Sequence, residues 1–176
     1  GCTSLTQAPE LPATTLAPNC YHQMFYGCTS LTKAPALPAT TLADRCYRNM
    51  FSSCTSLAQA PALTATTLAT SCYNSMFYNC TSLTQAPALS ATTLVDGCYR
   101  SMFQGCSKIK LSSTQTGEYT VTYRIPSSGT GTTATDALTN MFSSTGGTFT
   151  GTPSINATYY LSSDNMIVRE TEIATL

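Results

Sequence analysis

Charged residues are scarce in this sequence. Only 9% of its 176 residues are Asp, Glu, Lys or Arg, against about a quarter in an average soluble domain. The eight acidic and eight basic residues cancel, and the basic ones are scattered along the chain. Nucleic acids and anionic membrane surfaces attract clustered Lys and Arg. The sequence therefore argues against both as partners.

Long apolar runs and a signal peptide are also missing. No apolar run approaches the roughly 20 residues that span a bilayer, so we expect no membrane insertion by this segment. The chain begins at Gly1-Cys2, inside a repeating pattern and without the polar cap that closes a repeat array. We therefore expect further domains of the same protein before residue 1, which would carry any export signal.

Side chains for catalysis or metal binding are equally sparse. His22 is the only histidine, and no Asp or Ser recurs near it at a fixed spacing. There is no Cys-x-x-Cys pair of the kind found in zinc sites, and the eight carboxylates show no glycosidase-like pairing. The sequence thus predicts no catalytic residue, no metal and no other cofactor, and we expect a protein that is not an enzyme.

What the sequence has in abundance is repetition. A stretch of 26 residues, Cys28 to Ser53, recurs with few changes from Cys2, Cys54 and Cys80, and a fifth copy starts at Cys106. Such a period is typical of a stacked array, in which each unit buries its apolar residues against its neighbours. Identical residues in successive copies predict continuous stripes of core. In the second copy these are Leu31, Leu37, Leu42, Met50 and Phe51.

Each copy is expected to contain a short strand and a short helix. The strand should start around Thr-Gln-Ala-Pro, although its proline donates no hydrogen bond and must break the ladder at that rung. The stretch from Asp44 to Phe51 reads as a short helix with Asp44 as its N-cap, a role that Thr70 and Asp96 repeat. The nine cysteines fall in two columns and are interpreted as small buried hydrophobes.

The run Met-Phe-x-x-Cys-Thr-Ser-Leu-Thr resembles the 26-residue repeat of bacterial surface proteins and the BspA-like leucine-rich repeats of Bacteroidales, over residues 2 to 109. The likeness departs at the strand, where Ala-Pro-Ala-Leu stands in place of alternating Val and Ile. The resemblance implies an α/β solenoid, a right-handed stack of coils with short strands and short helices. Four full repeats and the start of a fifth would occupy residues 1–109.

After residue 109 the period stops, and residues 110–176 are expected to cap the stack. Alternating apolar residues on either side of Thr116-Gly117 predict a β-hairpin over about 107–126. The sequence around Met141-Phe142 matches that around Met50-Phe51, which predicts a degenerate repeat over about 134–161 with Phe142, Phe149 and Ile155 in its core. We expect a last strand over 164–168 and a tail over 169–176.

A column of tyrosines supplies the candidate ligand-binding site. Tyrosine and arginine frequently dominate binding interfaces, and this column lies beside variable polar positions that include two arginines. The alternative, ordinary packing between neighbouring copies, stays open at this point. The candidate residues are Tyr21, Tyr47, Tyr73 and Tyr99, together with Arg48 and Arg100.

The resemblance also implies a function. It points to a non-enzymatic binding or adhesion module, at the cell surface or secreted, that recognises a protein or glycan ligand. Because a fold does not determine a function, a second class stays open. The chain would then be a structural spacer or a self-assembling stalk segment of a larger surface protein.

Overall fold

The computed structural model describes residues 1–164, and within them the chain is built from turns, extended segments and a small sheet, without any α-helix. The strands are β1 (Lys110–Ser112), β2 (Tyr119–Arg124), β3 (Gly146–Gly147) and β4 (Thr158–Ser162). The prediction of an α/β solenoid with short helices is therefore wrong. With no helix in this range, none is available to cross a membrane. The last strand and the tail predicted beyond Asp164 lie outside the described residues.

Where a helix is predicted, each copy instead forms a run of overlapping β-turns. Within residues 43–54, alternate amides, from Cys46 to Cys54, donate to the carbonyl three residues earlier at 3.0–3.2 Å. The amides between them donate to the following copy, as the Tyr47 amide does to the Cys72 carbonyl at 3.0 Å. We call this arrangement the turn ladder. It comprises residues 17–28, 43–54, 69–80, 95–106 and 134–145.

The turn ladder requires a left-handed backbone at every fourth residue. In the second copy these residues are Arg45, Asn49 and Ser53, with φ of 54°, 53° and 62°. A positive φ at the third residue of a turn is the type II geometry, and it is incompatible with a right-handed helix. No β-branched residue occupies such a position anywhere in the ladder, and Asn, Gly and Ser predominate. The helix prediction fails for this reason.

Asp44 and Asp96 consequently cap no helix. Asp44 Oδ1 accepts a hydrogen bond from the Thr70 amide at 3.1 Å, and Asp96 Oδ1 accepts one from the Thr135 amide at 3.2 Å. Each acceptor belongs to one copy and each donor to the next. The two carboxylates therefore tie successive copies together.

Aromatic columns fill the core behind the turn ladder. The phenylalanine rings stack with centroids 5.4–5.7 Å apart from copy to copy, and each such pair contributes about 0.5–1.5 kcal/mol beyond its buried area. The column consists of Phe25, Phe51, Phe77, Phe103 and Phe142. It ends where the ring of Tyr123 in β2 meets the Phe142 ring edge-on, at 5.8 Å and 89°.

The segment predicted to be a strand forms a single isolated bridge in the described residues, between Gln7 and Lys33. The other isolated bridges, Thr41 with Thr67 and Thr93 with Thr132, lie outside that segment. The amides of Ala36 and Leu37, which follow Pro35, donate no hydrogen bond to any described residue. The proline, which has no N–H to donate, interrupts the ladder so completely that no strand survives.

The C-terminal sheet has the order β2-β4-β1-β3. β4 lies between β1 and β2 and is antiparallel to both, whereas β1 and β3 are parallel. The predicted hairpin is wrong, because its two strands are not neighbours. Residues 134–145 nevertheless continue the turn ladder, with the Phe103 amide donating to the Met141 carbonyl at 3.0 Å. Phe142 is fully buried as predicted, while Phe149 and Ile155 are only half-buried.

The left-handed positions give a direct test of the turn ladder. Replacing Asn49 with valine, which strongly disfavours positive φ, should lower the free energy of unfolding by about 1–2 kcal/mol in urea denaturation. Asn49→Gly should change it by less than about 1 kcal/mol, because glycine adopts this conformation freely. Gln104→Val, at a half-exposed ladder position without a positive φ, is the matched control. An equal loss at Gln104 would contradict the assignment.

Candidate functional site

The tyrosine column is part of the core. Tyr47, Tyr73 and Tyr99 are only 1–2% exposed, and their rings stack with centroids 5.7–5.9 Å apart. Tyr21 is half-buried and stacks on Tyr47 at 5.8 Å. Burial, the main cause, raises the pKa of the three buried phenols well above the ordinary value. A ligand cannot reach the three buried rings, so a recognition stripe formed by all four tyrosines is wrong, and the packing alternative holds for Tyr47, Tyr73 and Tyr99.

The two candidate arginines have different surroundings. Arg100 Nη1 donates to Asp136 Oδ2 at 3.0 Å, in an ion pair that is half exposed to solvent. Arg48 is half-buried, and its Nε atom is buried without a hydrogen-bond partner among the described residues. The pKa of His22 is lowered by partial burial first, and then by the positive charges of Arg48 and Arg45. The structure therefore groups Arg48 with His22 and Arg45, and places Arg100 elsewhere.

A row of shallow cavities lies between the Ala-Pro segments of successive copies. The first, of about 400 Å³, lies between copies one and two and is lined by Gln7, Glu10, Lys33 and Pro35 among others. Cavities of about 360 and 320 Å³ follow between copies two and three and between copies three and four. We call this surface the groove face. It comprises residues 7–12, 32–38, 58–64 and 84–88.

The groove face carries polar groups without a protein partner. The amides of Ala62 and Ala88 donate to no described residue, as is also the case for Ala36. The side-chain Nε2 atom of Gln85 is buried and likewise has no partner within residues 1–164. The three alanines are exposed residues, whereas a buried donor such as Gln85 Nε2 is normally satisfied by protein, water or a ligand. Clefts that combine apolar walls with a few such donors are typical of binding sites.

The cysteines do not form a reactive centre. Seven of the nine are buried and only Cys2 and Cys20 are exposed, which confirms the buried-hydrophobe interpretation for the seven. The Sγ atoms of Cys54 and Cys80 donate to the Phe25 and Phe51 carbonyls at 3.1 and 3.0 Å. Burial raises the pKa of Cys46 to about 11 and that of Cys54 to about 12, so these thiols are not nucleophiles at neutral pH. Residues 1–164 contain no cluster of metal ligands.

No protein-family model, curated protein or solved structure matches this chain. The resemblance to bacterial surface repeats therefore stays an expectation. The groove face is the feature that sequence reasoning missed. The signal in the sequence was the recurrence of proline between alanines. Proline donates no hydrogen bond to a strand ladder, and the flanking alanines have small side chains.

Thiol titration tests the assigned burial. At pH 8 a disulfide reagent should modify about two thiols of the native protein, Cys2 and Cys20, and all nine after unfolding. The other seven thiols should stay protected because they are buried, and burial also raises the pKa of thiols such as Cys46 and Cys54, which keeps them protonated. Rapid modification of Cys72 or Cys98, mapped by mass spectrometry, would contradict the buried columns.

The burial of the tyrosine column predicts different losses of stability when a buried and an exposed tyrosine are truncated. Tyr73→Ala should lower the free energy of unfolding by about 3–5 kcal/mol, the cost of deleting a large buried side chain. Tyr26→Ala, at a ring that is 46% exposed, should cost less than about 1 kcal/mol. Equal, small losses in chemical denaturation would show that the column is accessible after all.

Proposed function

We propose that this protein is a non-enzymatic binding module of a bacterial cell surface or secreted protein, and that it recognises a protein or glycan ligand through the groove face. The observation that carries the proposal is the row of cavities with unpartnered backbone donors, repeated at each junction between copies. A ligand that lies across several copies can use the same contact several times.

The composition of the groove face favours an uncharged ligand. Ala, Pro and Gln make up most of its lining, and Glu10 and Lys33 are its only charged residues. They carry opposite charges and both line the first cavity, and Lys33 also lines a cavity between copies two and three. The rest of the groove face offers hydrogen-bond donors and apolar contact. A neutral glycan chain or an extended, uncharged peptide segment suits this chemistry.

A structural spacer is the second candidate. The turn ladder supports it, because each junction between copies repeats the same backbone hydrogen bonds and the same ring stacking. Such a column would hold other domains apart without a ligand. The two functions differ in one respect: only the binding module depends on the open grooves.

Filling the grooves should separate the two functions. Alanines 36, 62 and 88 are exposed and border the cavities, so a triple substitution Ala→Arg should fill them without disturbing the core. Binding of the intact protein to arrays of neutral glycans and extracellular proteins would be measured first. The triple variant should lose binding to every ligand found, by about tenfold or more, since each blocked groove removes contacts.

The matched control replaces Thr40, Thr66 and Thr92 with arginine, at exposed positions of the same three copies outside the grooves. This variant adds the same charge and should retain binding. Equal binding by both variants would move the site away from the groove face. No binding by the wild-type protein to any array would favour the spacer.

A further inference from the structure

One position of the turn ladder differs in its charge partner from copy to copy. Arg100 reaches the following copy, where its guanidinium meets the carboxylate of Asp136. Asp136 is the first left-handed residue of that copy, with φ of 55°, and the corresponding residue after Arg48 is Ser71, with φ of 54°. The hydrogen bonds agree with this register. The residues just before them, Thr135 and Thr70, accept equivalent bonds from the ladder.

Arg48 therefore occupies the position of Arg100, but the copy that follows it has Ser71 at the place where the copy after Arg100 has Asp136. It forms no ion pair with any described residue, and its Nε atom is buried and unpartnered. A buried donor of a charged group without an acceptor is costly. In the Arg100–Asp136 pair the carboxylate meets Nη1, so a carboxylate at the equivalent place beside Arg48 would meet its terminal nitrogens rather than the buried Nε.

The surroundings of Arg48 add positive charge on an otherwise weakly charged surface. His22 occupies the same column one copy earlier, and Arg45 precedes Arg48 by one turn. The nearest carboxylate in sequence, Asp44, uses Oδ1 to accept the Thr70 amide. One carboxylate thus stands near two arginines in this part of the surface.

We propose that Arg48 anchors a carboxylate-binding site, in which a ligand carboxylate takes the place beside Ser71 that the Asp136 carboxylate takes beside Arg100. The fork of a guanidinium donates two parallel hydrogen bonds to a carboxylate, which gives the site its preference for this group. The carboxylate belongs to an acidic sugar or to an acidic side chain of a partner protein. The site is independent of the groove face and of the function proposed for it.

The single histidine provides the measurement. The imidazole pKa of His22 is obtained from an NMR pH titration of the intact protein, with and without acetate, and with chloride at equal ionic strength as the control. Partial burial, and then the positive charges of Arg48 and Arg45, hold this pKa below its ordinary value, so a carboxylate bound beside Arg48 should raise it. A rise equal to that in chloride would overturn the proposal.

Two variants keep the test decisive. Ser71→Asp supplies an internal carboxylate, so it should raise the His22 pKa without acetate and abolish the further response to acetate. Arg48→Gln should weaken acetate binding about tenfold, the factor that one charge-assisted hydrogen bond carries. Arg100→Gln, the same change in the same column at a satisfied arginine, should leave acetate binding unchanged. Equal acetate binding by wild type and Arg48→Gln would refute the site.

The reverse exchange provides an independent readout. Asp136→Ser should free Arg100 and create a second acetate site, detected as an acetate-dependent shift of the Arg100 Nε–Hε resonance. Titration with glucuronate and with N-acetyl-aspartate amide then distinguishes an acidic sugar from an acidic peptide by the tighter ligand. If both bind no better than acetate, the site recognises the carboxylate alone.

Discussion

The structure depends on the alternation of two kinds of backbone hydrogen bond in the turn ladder. One amide closes a turn within its own copy, and the next donates to the copy that follows, as Met50 and Phe51 do. Because each junction between copies is closed mainly by backbone hydrogen bonds, neighbouring copies are held in register with few charged contacts, those of Asp44, Asp96 and Arg100. The scarcity of charge in the sequence and the exact repetition of its core residues are both compatible with this arrangement.

The same pattern of turns determines which side chains are buried. The turns bring adjacent pairs to the interior every four residues, so Cys46-Tyr47 and Met50-Phe51 are buried together. Aromatic rings at equal heights then stack on their counterparts in the next copy. Volume changes at these positions would have to fit two neighbours in a close-packed interior. The copies differ instead where the ladder meets solvent, as at Arg48.

In contrast to the turn ladder, the groove face is a part of the stack where successive copies are not closely packed. Proline removes one donor from each Ala-Pro segment, and the neighbouring amides of Ala36 and Leu37 are left without a protein acceptor. Copies that are hydrogen-bonded along the turn ladder are therefore separated by cavities at the Ala-Pro segments. The feature that prevents a strand also creates the space and the free donors on which the proposed binding function rests.

The repeat period, the stripes of leucine and phenylalanine and the burial of most cysteines could be predicted from the sequence, because stacking equivalent residues requires only a fixed spacing. The turn ladder could not be predicted and was taken for a helix, since buried pairs four residues apart also fit one face of a helix. The discriminating signal was the recurrence of Asn, Gly and Ser at the left-handed positions, such as Asn49.

The order of the strands in the sheet could not be predicted either. β4 comes last in the sequence of strands but lies between β1 and β2 in the sheet. One local signal was present in Gly147, whose φ is 87°. A Cβ atom there would lie against the backbone of Leu111 in β1. The tyrosine column was open to two interpretations, since a residue beside variable polar positions can point into the core or toward solvent.

Residue-resolved amide hydrogen exchange tests the turn ladder most directly. The amides of Met76 and Phe77, which donate within and between copies respectively, should both be strongly protected, because each is hydrogen-bonded at 3.0–3.1 Å in the interior of the stack. The amides of Ala88 and Leu89, which have no acceptor within residues 1–164, should exchange much faster. Protection at Ala88 and Leu89 equal to that at Phe77 would indicate a continuous strand ladder and contradict this account.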